Sequence, residues 1–294
     1  MDVALPPVLD GRSVLALPTG GPDVLALASA WFADAAWLRE PVAARTSTER
    51  PMTGARFRGM VVEDAVAAQP GELRLTGAST LVGPHPLDAD ATRASGLRVA
   101  GPLALYALAG EETAQVRGWC VAAARHAAGA VVPAQRAQAV VPDPAAAVDL
   151  TLWSPVPLAP AEVLAVVRPA MVGARVQPTE LPTPAGGGPQ PCGVTATFDY
   201  DGEVTLSSGR PLDAPLVLST LGWREYGPWA YRVTWRSPDE AADSPLAAIA
   251  RQRVAPTLAR VVAALLRSAG GTVVDAGGFV VAPDELDRRS AARR

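Results

Sequence analysis

Two histidines, two cysteines and no lysine are all that this chain of 294 residues holds of the side chains most often used as nucleophiles and near-neutral bases. His85 stands between Pro84 and Pro86, in what reads as an exposed loop, and has no second histidine beside it to make a metal site. His126 falls near the end of an alanine-rich helical stretch, where an imidazolium is favoured by the helix dipole without any catalytic role. Cys120 lies on the apolar side of the same stretch, the setting of a small core residue, and Cys192 is remote from it, so neither a disulfide framework nor a metal cluster is implied. Without lysine there is no Schiff-base amine, no lysine general base and no phosphate-loop lysine.

Carboxylates are the remaining route to acid and base chemistry. Glu63 and Asp64 are adjacent on a strand-like run, where successive side chains point to opposite faces, so they make a poor dyad. Asp199 and Asp201 resemble calcium ligands in spacing, but the rest of an EF-hand loop is missing and Asp201-Gly202 reads as a hairpin turn. The serine-elbow, phosphate-loop, dinucleotide and His-Glu-x-x-His zinc motifs are all absent from the sequence. No cofactor is therefore expected, and no metal ligand or catalytic residue is assigned.

Residues suited to binding are easier to find. Trp223, Arg224 and Tyr226 are of the types enriched at interface hot spots, and Arg232 and Arg236 follow in the next strand-like run as polar contacts. In that run Trp229, Tyr231, Val233 and Trp235 alternate onto one face, which suits a core, whereas Trp223, Arg224 and Tyr226 precede it and can reach solvent.

The elements that must position these residues occur twice. Laying Val121 on Val262 also brings Ala122, Ala123, Ala128, Gly129, Val132, Val140, Pro142 and Asp143 onto identical residues at Ala263, Ala264, Ala269, Gly270, Val273, Val281, Pro283 and Asp284. Upstream, Pro86-Leu87-Asp88-Ala89 matches Pro211-Leu212-Asp213-Ala214 and Gly101-Pro102 matches Gly227-Pro228, in the same order. The expected organisation is a first copy over 1–143 and a second over 144–294, joined by a Pro/Ala-rich linker around Pro142–Ala147. The second copy carries a Pro/Gly-rich surface loop over Gln177–Pro191 and ends in a frayed basic tail from Asp287.

Within the first copy, Ser13–Leu17 reads as a strand, Val24 to about Arg39 as an amphipathic helix, and Arg56–Glu63 and Glu72–Leu81 as strands. Leu97–Leu108 is a further strand-rich run; Thr113 caps a helix that stops at Gly129, and a short β run near Gln138–Val141 follows. In the second copy Pro160 starts a helix, Leu216–Thr220 reads as a strand, and Ser244-Pro245 starts a long helix that Pro256 should kink or divide.

Strands grouped between two helices predict an α+β protein: a tandem duplication of a β-α-β(n)-α-β module with helices on one face of an antiparallel sheet, the copies related by a pseudo-twofold. The nearest common layout is a ferredoxin-like split βαβ elaborated with extra strands.

A formal net charge of −3 and a 49% apolar content describe a globular protein that does not seek polyanions. Nucleic acid and membrane are not expected partners, and the acidic N-terminal start and short apolar runs predict a cytoplasmic protein. The joint absence of lysine and asparagine, both with A-rich codons, is the mark of a high-GC genome. A clear scaffold without assembled catalytic groups predicts a non-enzymatic interaction protein with a protein partner. The alternative is a small-molecule-binding protein or carboxylate-dependent enzyme with its site between the copies.

Overall fold

The structure is a computed structural model that describes residues 3–44, 48–51, 60–63, 67–136, 138–179, 181, 191–239 and 244–291. The chain divides into two compact units, Met1–Pro142 and Asp143–Arg294. It is an α+β protein with two antiparallel sheets, a separate two-stranded hairpin and seven α-helices among the described residues.

The first unit runs β1 (Val14–Pro18), α1 (Val24–Ser29), β2 (Ala36–Arg39), β3 (Thr48–Pro51), β4 (Met60–Glu63), β5 (Gly71–Arg74), β6 (Ser79–Leu87), α2 (Ala89–Ala94), β7 (Leu103–Gly110), α3 (Ala114–His126) and β8 (Ala130–Val132). The second runs β9 (Leu150–Ser154), α4 (Pro160–Val167), β10 (Arg175–Thr179), β11 (Gly193–Phe198), β12 (Gly202–Gly209), α5 (Trp223–Tyr226), β13 (Trp229–Arg236), α6 (Pro245–Ala269), β14 (Thr272–Asp275), β15 (Val280–Val281) and α7 (Pro283–Ala291). The sheets are ordered β2-β5-β6-β7-β1-β8 and β10-β11-β12-β13-β9-β14-β15, while among the described residues β3 and β4 pair with each other alone. In both sheets the opening strand is interior. The strand entering the long helix lies on one side of it and the strand leaving that helix lies on the other, so β7-α3-β8 and β13-α6-β14 are each a split βαβ crossover.

Helix starts follow the sequence chemistry. Asp23, Asp88, Thr113 and Ser244 each accept a bond from the backbone N–H three residues on, a cap contributing about 1 kcal/mol. The end of α3 departs from expectation: the left-handed residue is Ala128 (φ 54), not Gly129, whose N–H instead donates to Ala124 O at 2.7 Å. At the end of α6 the left-handed residue is Gly270 (φ 64), with its N–H on Leu266 O at 2.8 Å. Gly129 and Gly271 share another constraint, since a Cβ on either would collide with a carbonyl of the unit's first strand, Ala16 O or Trp153 O.

Helices cover both sheet faces, not one. In the second unit Leu152, Tyr231, Val233, Val194 and Leu206 form a core with Val163 of α4, Leu258, Val261 and Leu265 of α6, and Leu286 of α7. Alternation sends Trp153, Ala230 and Val274 to the opposite face, where Leu218 and Tyr226 cover them. In the first unit Val14, Ala16, Leu105 and Ala107 pack with Leu9, Leu87 and Leu97. Leu15 and Tyr106 turn the other way, toward α3, whose fully buried Trp119 donates from Nε1 to Leu27 O at 2.9 Å and meets Phe32 edge-on.

Several local expectations are corrected. The helix from Val24 ends at Ser29, and Ala36–Arg39 becomes an edge strand on β5, because apolar residues at helical spacing also suit a short helix plus a strand. Glu72–Leu81 is a hairpin of β5 and β6, which also draws His85 into a strand. The strand of the Leu97–Leu108 run is β7, and beyond β8 only an isolated bridge between Val131 and Val140 forms. Leu216–Thr220 is a 3-10 helix started by Pro215, with Leu218 as its buried anchor. Of the expected 177–191 loop, Gln177–Thr179 belong to β10, and residue 180 and residues 182–190 lie outside the described residues. Of Arg56–Glu63 only Met60–Glu63 is described, and it forms β4; Asp64 lies outside the described residues. Pro256 is accommodated inside an undivided α6. The tail folds as α7 through Ala291 because Leu286 is buried and Glu285 and Asp284 hold Arg288 and Arg289.

Candidate functional site

The one-turn helix α5 is fastened from several sides. Glu225 Oε1 accepts the Gly222 N–H at 2.9 Å, the Gly227 N–H reaches Trp223 O at 2.8 Å, and Thr272 Oγ1 donates to Glu225 O at 2.9 Å. Gly227 has φ 55, and a Cβ there would strike Pro155, so the exit from the helix admits only glycine. Tyr226 is half-buried against the small cluster of Trp153, Leu218, Ala230 and Val274. Trp223 stands edge-on to it, with ring centroids 5.3 Å apart and an interplanar angle of 73°, and is 59% exposed. A large indole held in place yet open to solvent is unusual for a residue with no packing role.

Arg224 is exposed on the same turn. In β13 the side chains of Tyr231 and Val233 enter the main core, so Ala230, Arg232, Thr234 and Arg236 alternate onto the face that carries α5. Arg232 and Arg236 are exposed there. Tyr226, Arg232 and Arg236 therefore share one face of the second sheet, and Trp223 and Arg224 are exposed on the helix that Tyr226 anchors there. Register extends this face across Thr205 and Ser207 of β12 and Thr195 and Thr197 of β11. Thr205 and Thr234 join hydroxyls at 2.7 Å, and Thr179 and Thr195 do the same. Trp229 and Trp235, partly buried against the main core, flank Tyr231 and Val233 as strand periodicity requires.

Asp199 and Asp201 engage different partners. Asp199 lies 3.3 Å from Arg175 and Asp201 lies 3.6 Å from Arg253, different arginines on different elements. The hairpin between β11 and β12 has a three-residue loop, Asp199-Tyr200-Asp201, with Gly202 at φ 83 paired to Phe198. A cluster that sequence reasoning missed gathers around Trp235. Its N–H donates to Asp149 Oδ1 at 2.9 Å, its Nε1 donates to Asp201 O at 2.7 Å, and the Arg251 guanidinium lies 6.0 Å from the ring. Burial pushes the Asp149 carboxyl above its ordinary range, against the opposing pull of the Trp235 N–H.

Cys120 is buried, and burial with nearby Glu112 pushes its thiol up to about 12, which removes thiolate reactivity. Burial and Arg12 push His85 down. His126 is half-buried in the last turn of α3. Among the described residues no three histidine, cysteine or acidic side chains are placed to hold a metal ion, and no helix is long and apolar enough to cross a membrane.

A concavity, also missed, lies between α4, α6 and α7. It has a volume of about 300 Å³ and is lined by Val166, Pro169, Ala170, Arg260, Ala263, Ala264, Arg267 and Ser290. Its α6 wall was visible in the sequence as two arginines seven residues apart enclosing two alanines on one helix face.

Fold and surface define a two-unit α+β protein with an aromatic and arginine-bearing sheet face. No family model, curated protein or solved structure matches the chain.

Proposed function

We propose that the chain is a non-enzymatic interaction protein built from two copies of one module, and that the outer face of the second sheet docks a partner protein through Trp223. The observation that carries this reading is the 59% exposure of an indole whose helix is fastened by Glu225, Gly227 and Thr272. A side chain already ordered loses little entropy on binding, and tryptophan and arginine are the residue types that dominate interface energies. Arg224 and Arg232 are exposed beside this indole, while Arg236 lies opposite Glu203 in the strand register, so the surface offers an aromatic anchor ringed by charges of both signs.

Duplication is supported by the shared strand order of the two sheets and by the split βαβ crossover in each. A ferredoxin-like ancestry for the module is consistent with that crossover if the hairpins β5–β6 and β11–β12 are elaborations of it.

The test is affinity capture from the source organism with the whole chain and with Trp223→Ala, followed by titration of the captured protein. The variant should keep its melting temperature and bind more weakly by about 1 kcal/mol or more. Unaltered capture, or a large loss of stability, overturns the proposal.

A further inference from the structure

Around Trp223 the hydrogen-bond acceptors of the surface are engaged within the protein itself. Trp223 O takes the Gly227 N–H at 2.8 Å, Glu225 Oε1 takes the Gly222 N–H at 2.9 Å and Glu225 O takes the Thr272 hydroxyl at 2.9 Å. Val217 O accepts from Thr220 Oγ1 and Val156 O from the Tyr231 hydroxyl, both at 2.9 Å. The donors are left over. Trp223 Nε1, Arg224 and Arg232 have no acceptor or ion partner among the described residues, and all three side chains are exposed. Arg232 stands one outward position along β13 from Ala230, which α5 covers, so its guanidinium belongs to the same surface. A ligand that fits this balance brings carbonyl acceptors and few N–H groups of its own.

The apolar part of the surface is angular. The Trp223 and Tyr226 rings, with centroids 5.3 Å apart, meet at 73°, so their planes bound a notch and do not lie side by side as a flat platform. Tyr226 is half-buried and keeps part of its ring at the surface. Gly227 follows it and abuts Pro155, so the apolar strip continues onto the exposed Pro155 and Val156. A flat aromatic platform suits the face of a sugar ring, whereas an angled aromatic pair beside aliphatic side chains suits the compact ring of proline.

Proline also meets the hydrogen-bond balance. Each residue offers a carbonyl and no N–H, and a run of prolines holds the polyproline II helix before binding, with its backbone fully solvated and no internal hydrogen bonds. Helix α5 is fastened as well, so both sides lose little conformational freedom on meeting.

We infer that the Trp223 surface takes a proline-rich segment of its partner in the polyproline II conformation, with a proline ring seated between Trp223 and Tyr226 and peptide carbonyls received by Trp223 Nε1, Arg224 and Arg232. This inference rests on the reading of that surface as the docking face and names the kind of segment it docks.

Decaproline is the probe, with a glycine–serine decapeptide as the flexible comparison and cellohexaose as the flat-ringed one. Isothermal titration of the whole chain should show saturable decaproline binding at one site per chain, about tenfold tighter than either comparison ligand. Trp223→Ala should weaken decaproline by about tenfold and leave the melting temperature unchanged. Trp223→Phe, which keeps an aromatic face and removes the Nε1 donor, should fall between the two. Absence of saturable decaproline binding, equal or tighter binding of either comparison ligand, or decaproline binding indifferent to both Trp223 variants would overturn the inference. Capture of a native partner that depends on Trp223, together with no binding of decaproline, would remove the proline-rich segment and leave the docking face standing. Capture indifferent to Trp223 would remove the docking face, and this inference with it.

Discussion

Tyr106 and Tyr231 hold the same station in their two sheets: each lies opposite a leucine of its unit's first strand, Leu15 for Tyr106 and Leu152 for Tyr231. Both rings are buried. The Tyr231 hydroxyl accepts the Leu158 N–H at 2.7 Å and donates to Val156 O at 2.9 Å, pinning the connection between β9 and α4. Tyr106 is pushed up to about 12 by burial and by Asp23, which caps α1 at the corresponding connection of the first unit. This register shifts the sequence alignment by one residue. Laying Gly101-Pro102 on Gly227-Pro228 sets Leu105 against Tyr231, whereas strand pairing sets Leu105, opposite Ala16, with Ala230, opposite Trp153.

Tyr231→Phe should therefore destabilise the second unit by about 1–2 kcal/mol, the cost of leaving the Leu158 N–H and Val156 carbonyl without their partner. Urea denaturation should show a lower midpoint with an unchanged slope.

Ala128→Gly should stabilise the first unit. Ala128 sits at φ 54, where an L side chain costs roughly 1–2 kcal/mol, and the gain is reduced by the greater freedom of glycine in the unfolded chain. A net gain of about 0.5–1 kcal/mol is expected by the same measurement. The reverse change at the other helix end, Gly270→Ala, should lose stability.

Asp149 makes stability depend on pH in a defined direction. Its folded pKa is raised above the ordinary value of 3.8, so the folded state holds the proton more tightly than the unfolded state. The stability it contributes is present below the ordinary value and is lost as pH rises through the raised one. Asp149→Asn keeps an oxygen for the Trp235 N–H and removes the titration. The variant should gain on the parent as pH rises through that window and match it more closely in acid. Denaturation curves at several pH values check this, and a gain that is equal at all pH values would sink it.

The features that local chemistry controls were legible in the sequence. The capping residues Asp23, Thr113 and Ser244, the proline that ends α4 and the apolar stripe of α6 act within one or two turns, and the helices start and stop beside them. The hairpin of β11 and β12 was legible for the same reason, as were Trp223 and Arg224 as residues able to reach solvent.

Tertiary structure decided what depends on partners distant in sequence. Ala36–Arg39 is a strand only because β5 supplies its hydrogen bonds, and Leu286 orders α7 only because the core of the second unit takes its side chain. The cluster at Trp235 brings together Asp149, Asp201 and Arg251, and the concavity beside α6 joins Pro169 to Arg267 and Ser290. Sequence alone set the local periods and the chemistry available. The choice of strand neighbour, and hence which side chains meet, arose from burying both faces of each sheet at once, a requirement no single segment expresses.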